Sequence, residues 1–167
     1  MAVERGETQA LILQPGEGEA VTLGPNRITF KLGGAETGGA FSVIEYAVGP
    51  NFQAPPTPHF HTNECWAAYV LEGTVGLDLD GQTVMAPAGT FFLVPKGLPF
   101  KWWNAEDRPA RYLGIYFPAG FERYFAEVAG LTKDLPPGPV DTTKLMPKLL
   151  PLWEKYGIGT VGEGEKS

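Results

Sequence analysis

The chain has 167 residues, 43% of them hydrophobic, and a formal net charge of −6. This length suits one domain with a real core, and the acidic balance, without a dense Lys/Arg cluster, speaks against a nucleic-acid partner. No apolar run reaches the roughly 18 residues of a membrane-spanning helix, so no membrane association is expected.

The counts of Gly 22 and Pro 16 point to short elements joined by turns. Gln9 to Gln14 is a candidate strand, stopped by Pro15-Gly16. Arg27 to Leu32 alternates, with Ile28, Phe30 and Leu32 on one face, before Gly33-Gly34 and Gly38-Gly39 break the chain. Phe41 to Val48 alternates again and ends at Gly49-Pro50. Trp66 to Leu71 and Thr74 to Leu79 flank Glu72-Gly73 as a hairpin, and Asp80-Gly81 starts the next turn. Phe91 to Val94, Phe100 to Trp103 and Arg111 to Phe117 complete the strands. Beyond them, Phe121, Tyr124, Phe125 and Val128 carry helical spacing, which predicts a helix near 119–129. After Pro136-Pro137-Gly138-Pro139, a short second helix is expected near 149–156, with Leu149, Leu152, Trp153 and Tyr156 as its apolar face. Pro147 and Pro151 argue against one uninterrupted helix through this region. The pattern favours an all-β sandwich or barrel. Its expected parts are an N-terminal strand and extension over 1–19, a barrel over 20–117, a helical appendage over 118–160 packed outside the barrel, and a flexible tail over 161–167.

Pro55 to Gly73, PPTPHFHTNECWAAYVLEG, holds both histidines and the single cysteine of the chain. Cys65 has no intrachain partner, and the first residues lack the flanks of a secretory signal, so a cytoplasmic location is expected. Alternate residues of a strand share a face, so His59 and His61 can present their imidazoles together. A metal site, an acid–base pair and a structural role all remain open on the residues alone. Cys65 reads as a buried free thiol.

Two longer stretches resemble the cupin superfamily, in particular its small single-domain, quercetin-dioxygenase-like (type-2) members. The first motif runs from Gly49 through His59-Phe60-His61 to Tyr69-Val70-Leu71-Glu72-Gly73, and the second from Gly81 through Pro87, Pro95-Lys96-Gly97 and Pro99 to Asn104. TGGAFSVIE (Thr37 to Glu45), PAGFERYF (Pro118 to Phe125) and KYGI (Lys155 to Ile158) also resemble that subgroup. The resemblance implies a cupin jelly-roll β-barrel with short C-terminal helices, and a homodimer. It also implies a metal held by two histidines, a glutamate and a third histidine. His59 and His61 match the first two ligands, but Trp66 and Phe100 stand where the glutamate and the last histidine belong.

The altered motif leads to a small-molecule enzyme as the expected function: metal-independent acid–base isomerisation, cyclisation or elimination of a phenolic or polyketide-like substrate. His61 is the leading base, because imidazole takes and returns a proton near neutrality. His59 and Glu64 are candidates to position the substrate or return the proton. Trp66, Phe100 and Trp102 are candidate aromatic walls, and Tyr69 a candidate phenolic donor beside them. No cofactor is favoured. The first alternative is a quercetinase-like dioxygenase holding Fe, Ni, Cu, Mn or Zn through His59, His61 and Glu64. The second is a cupin that binds a small organic molecule without turning it over.

Overall fold

The computed structural model describes residues 10–53, 57–135 and 141–162. Among the described residues, eleven strands and three helices follow one another. The strands are β1 (Ala20–Leu23), β2 (Asn26–Leu32), β3 (Ser42–Val48), β4 (His59–His61), β5 (Cys65–Glu72), β6 (Thr74–Leu79), β7 (Gln82–Pro87), β8 (Phe91–Val94), β9 (Phe100–Asn104), β10 (Ala110–Phe117) and β11 (Ile158–Thr160). The helices are α1 (Gly34–Thr37), α2 (Glu122–Thr132) and α3 (Thr142–Tyr156).

The strands form two antiparallel sheets, one in the order β1-β2-β3-β10-β5-β8 and the other β11-β4-β9-β6-β7. Alternation within each strand sends one set of side chains between the sheets. Ile28, Ile44, Tyr46, Trp66, Val70 and Tyr112 from the first meet Val75, Leu77, Ala86 and Phe100 from the second in one buried cluster. Asn104 is buried at the end of β9. Its Nδ2 donates to the carbonyls of Gly49 at 3.0 Å and Arg108 at 2.8 Å, tying the two sheets' connections together. Buried amides of this kind are retained because their polar atoms are satisfied.

The expected closed jelly-roll barrel and purely all-β class are not what forms. Each sheet ends on edge strands, β1 and β8 in one and β11 and β7 in the other, and neither closes on itself. Alternation in the sequence reports which face of a strand is buried; it carries no information on the hydrogen bonds that would join the last strand to the first. Helices also make up part of the core. Phe121 and Phe125 lie in the main cluster, while Leu145, Leu149 and Trp153 form a second one under α3. The C-terminal part thus contributes side chains to the core, and its β11 extends the second sheet beside β4.

Two local expectations also change. The strand placed at Gln9 to Gln14 does not form over Ala10–Gln14, where Leu11 and Ile12 stand exposed without a partner strand; Gln9 lies outside the described residues. The second helix begins earlier than expected and runs through both prolines. Pro147 and Pro151 are four residues apart on the exposed side, opposite buried Leu145, Leu149 and Trp153, so packing of that inner face outweighs the lost backbone bonds. Among the described residues, no helix is long and apolar enough to cross a membrane.

Gly157 turns the chain from α3 into β11 with φ +69°, and a Cβ there would lie 2.4 Å from the Thr62 hydroxyl. Gly157→Ala is expected to cost about 1–3 kcal/mol, through both the left-handed backbone and the overlap. Urea unfolding measures this, and an unchanged midpoint would show that the junction tolerates a side chain.

Candidate active site

β4 is only three residues long, yet it carries both histidines on its buried face. β11 pairs along one side of it, with His61 opposite Ile158 and His59 opposite Thr160. On the other side His59 is opposite Phe100 of β9. The intervening Phe60 points the other way, onto Gly159, where a Cβ would lie 2.3 Å from its ring.

The histidines face a cavity of about 150 Å³ between the sheets. Its walls are mostly aromatic. Phe100 lies 4.3 Å from the His59 ring and 5.4 Å from that of His61, centroid to centroid. Trp66 lies 5.3 Å from Phe100, and Trp102 stands edge-on to Tyr46 at 5.3 Å. Trp66, Phe100 and Trp102 line the same cavity as His59 and His61. Tyr69 does not join them. It is three residues from Trp66 on β5, hence on the opposite face, and 45% exposed beside Phe91 of β8.

Glu64 occupies a different position from the one expected. It is buried in the turn before β5, and its Oε1 lies 2.6 Å from Nδ1 of His61, without a well-directed hydrogen bond between them. Its carboxylate does not line the aromatic cavity; it borders a second hollow on the other side of His61. So close an approach of a ring nitrogen and a carboxylate oxygen is attractive when a proton lies on one of them.

Three tyrosines were not recognised in the sequence as site residues. Tyr46 on β3 and Tyr112 and Tyr116 on β10 share the inner face with Trp66, since the register sets Tyr46 opposite Tyr112 and Tyr116 opposite Trp66. The same period of two that defined these strands carries this signal. Burial pushes the hydroxyls of all three well above the ordinary tyrosine range, so they remain neutral donors. α2 and α3 close the cavity with Phe121, Phe125 and Trp153, and the Trp153 indole donates to the Tyr124 hydroxyl at 3.0 Å.

Nδ1 of His59 and Nε1 of Trp66 are buried without a hydrogen-bond partner. Such atoms are costly unless something completes them, so two walls of the cavity offer unused polar atoms to a ligand. Burial, reinforced by nearby His61, lowers the pKa of His59 from 6.5 to about 3, which keeps it neutral near pH 7. A larger groove of about 680 Å³ runs along β2, α1 and the start of α2, but neither histidine lines it.

The four-ligand metal centre implied by the sequence resemblance does not fit these residues. Two imidazoles are present, but Trp66 and Phe100 supply aromatic surface where the other donors belong, and Glu64 is engaged with Nδ1 of His61. Among the described residues, no group of three or more His, Cys, Asp or Glu is arranged to hold a metal ion.

Residues 44–116 match the family model described as Cupin domain. The chain is 29% identical over 102 residues to a quercetin 2,3-dioxygenase from Bacillus subtilis (strain 168). That match covers 61% of this chain but only 30% of the length of the relative. Among solved structures, the polyketide cyclase RemF from Streptomyces resistomycificus aligns with a TM-score of 0.57 and 23% identity, over 65% of this chain and 80% of that one. KdgF from a Halomonas species aligns with a TM-score of 0.59 and 13% identity, over 69% and 99% of the two chains. At these identities the structural likeness concerns the fold.

The low pKa of His59 sets a pH dependence. The unfolded chain protonates this residue near pH 6.5 and the folded protein only near about 3. Its contribution to stability is therefore complete above pH 6.5 and is lost progressively as the pH falls toward 3. Unfolding free energies measured across this window should fall more steeply for the parent than for His59→Gln. Equal slopes would show that His59 is protonated in the folded protein.

Proposed function

We propose that the chain is a small-molecule enzyme using proton transfer, with His61 as the base and Glu64 as its positioning residue. The observation that carries this reading is the 2.6 Å approach of Glu64 Oε1 to His61 Nδ1, behind a cavity with aromatic walls. A carboxylate at Nδ1 favours the tautomer with the proton there and leaves Nε2 as the basic atom for a substrate. It also stabilises the imidazolium formed once the proton has moved.

The substrate class that suits the walls is a phenolic or polyketide-like ring. Phe100, Trp66 and Trp102 provide flat apolar surfaces. The neutral tyrosine hydroxyls and the Trp66 N–H can donate to a carbonyl or hydroxyl oxygen whose charge rises as the proton leaves. Removal of a proton from carbon or oxygen, with its return elsewhere or with loss of a leaving group, covers isomerisation, cyclisation and elimination. The fold shared with a polyketide cyclase agrees with this reading without assigning it.

The quercetinase-like reading draws on the sequence match to the Bacillus dioxygenase. It is the weaker of the two, because the donor set around His59 and His61 does not fit the ligands that chemistry uses. A purely binding role is separated from both by turnover.

A panel of phenolic ketones and linear poly-β-carbonyl compounds tests the reading. His61→Ala is expected to lower kcat at least ~100-fold, the usual contribution of a general base, with binding retained. Glu64→Gln should lower kcat with little change in KM, and Glu64→Asp should recover part of the loss. Full activity in His61→Ala would remove the assigned base, and binding without turnover by the parent would leave a binding protein.

A further inference from the structure

The cavity that holds the histidines is too small for most of the substrates just described. At about 150 Å³ it matches a space that accommodates one benzene-sized molecule. Sites for larger organic ligands span roughly 300–1,000 Å³.

A second hollow, of about 300 Å³, adjoins it and is bordered by Asn63, Glu64, Arg123, Glu127 and Lys155. The His61–Glu64 dyad straddles the two spaces, His61 facing the inner one and Glu64 the outer. Phe121 borders both. Its side chain is buried, with its ring 4.4 Å from that of His61, 4.9 Å from Tyr116 and 5.1 Å from Tyr124, centroid to centroid.

The backbone beside Phe121 is pinned. Glu122 accepts the Gly120 N–H at 2.6 Å through Oε2 and the Gly34 N–H at 3.2 Å through Oε1. Any opening between the hollows thus falls to rotation of the Phe121 ring. In the outer cleft, Lys155 and the Tyr156 hydroxyl both donate to Glu127 Oε1, so those three groups satisfy one another. Asn63 and Arg123 stand exposed on its border.

We propose that the outer cleft is the second half of the substrate site and that Phe121 is the door between the halves. The substrate is then a planar molecule of at least two fused or linked rings, one end against His61 and a polar end in the cleft facing Asn63 and Arg123. This rests on the acid–base reading of the same site and adds to it the size of the substrate and the residue that admits it.

The probe is 2-naphthol, with phenol as a one-ring control. Association is followed by stopped-flow fluorescence of Trp66, Trp102 and Trp153, which line the inner cavity. Phe121→Ala and Phe121→Leu are both measured, because Leu keeps most of the apolar volume, and near-ultraviolet circular dichroism confirms that each is folded. Both are expected to take up 2-naphthol about tenfold faster than the parent, since the slow step of opening is removed. Arg123→Trp, which fills the cleft from an exposed helical position, is expected to slow uptake of 2-naphthol about tenfold. Parent-like rates in folded Phe121 variants, or an unaffected rate in Arg123→Trp, would overturn the proposal; phenol binding together with loss of turnover in His61→Ala would leave the acid–base reading standing. No binding of either probe to the parent or to any variant would overturn both.

Discussion

A carboxylate and an imidazole buried together, with aromatic rings on the cavity side, set the terms for the rest of this site. Taking either group out of water is expensive, and the cost is recovered only when they meet in good geometry. Glu64 comes within reach of His61 through the short turn between β4 and β5, and the inner faces of the two sheets exclude water from the space His61 faces. The fold thereby holds an imidazole beside a carboxylate at the edge of an apolar space. The neutral tyrosines and neutral His59 add polar atoms to the inner face without adding ionic charge.

Trp66 and Phe100 change what the inner face of this two-sheet fold can do. Each sits on a strand position directed at the histidines, and each brings a ring instead of a donor. A histidine pair surrounded by metal ligands serves as part of a coordination sphere. The same pair surrounded by rings becomes the polar spot of an apolar box. The difference lies in two side chains, and the backbone that carries them remains that of the shared fold.

Much of this was legible in the sequence, and the unread part has physical causes. Period-two alternation placed Phe100 and Trp102 on one face and His59 with His61 on another, and both faces meet in the cavity. The same rule, applied from Trp66, sends Tyr69 outward, so that assignment conflicted with the strand's own periodicity. Tyr112 and Tyr116 were visible as one face of β10, but their convergence on Trp66 depends on the register between strands distant in sequence. Glu64 precedes β5, and strand parity does not govern a turn, so its partnership with Nδ1 of His61 was not readable from spacing. Closure of the sheets was misjudged for a related reason: short alternating strands look the same in an open sandwich and in a barrel. The two prolines of α3 were given their intrinsic cost without the packing of Leu145, Leu149 and Trp153 on the other side of the helix.

The pairing of β4 with β11 has a consequence for biosynthesis. The histidine strand is three residues long and meets β9 only at His59 opposite Phe100, so β11 provides its more extensive partner. A ribosome emits β4 long before Ile158–Thr160, and the intervening chain must fold with that edge open. Long-range pairings of this kind form late, after the loop between them has been closed. Maturation of the site is then coupled to docking of the chain's last described strand, and a nascent protein that has already buried its main core still lacks a finished histidine strand. Quality control acting on exposed strand edges would distinguish those two stages, although both contain the same residues of the candidate catalytic dyad.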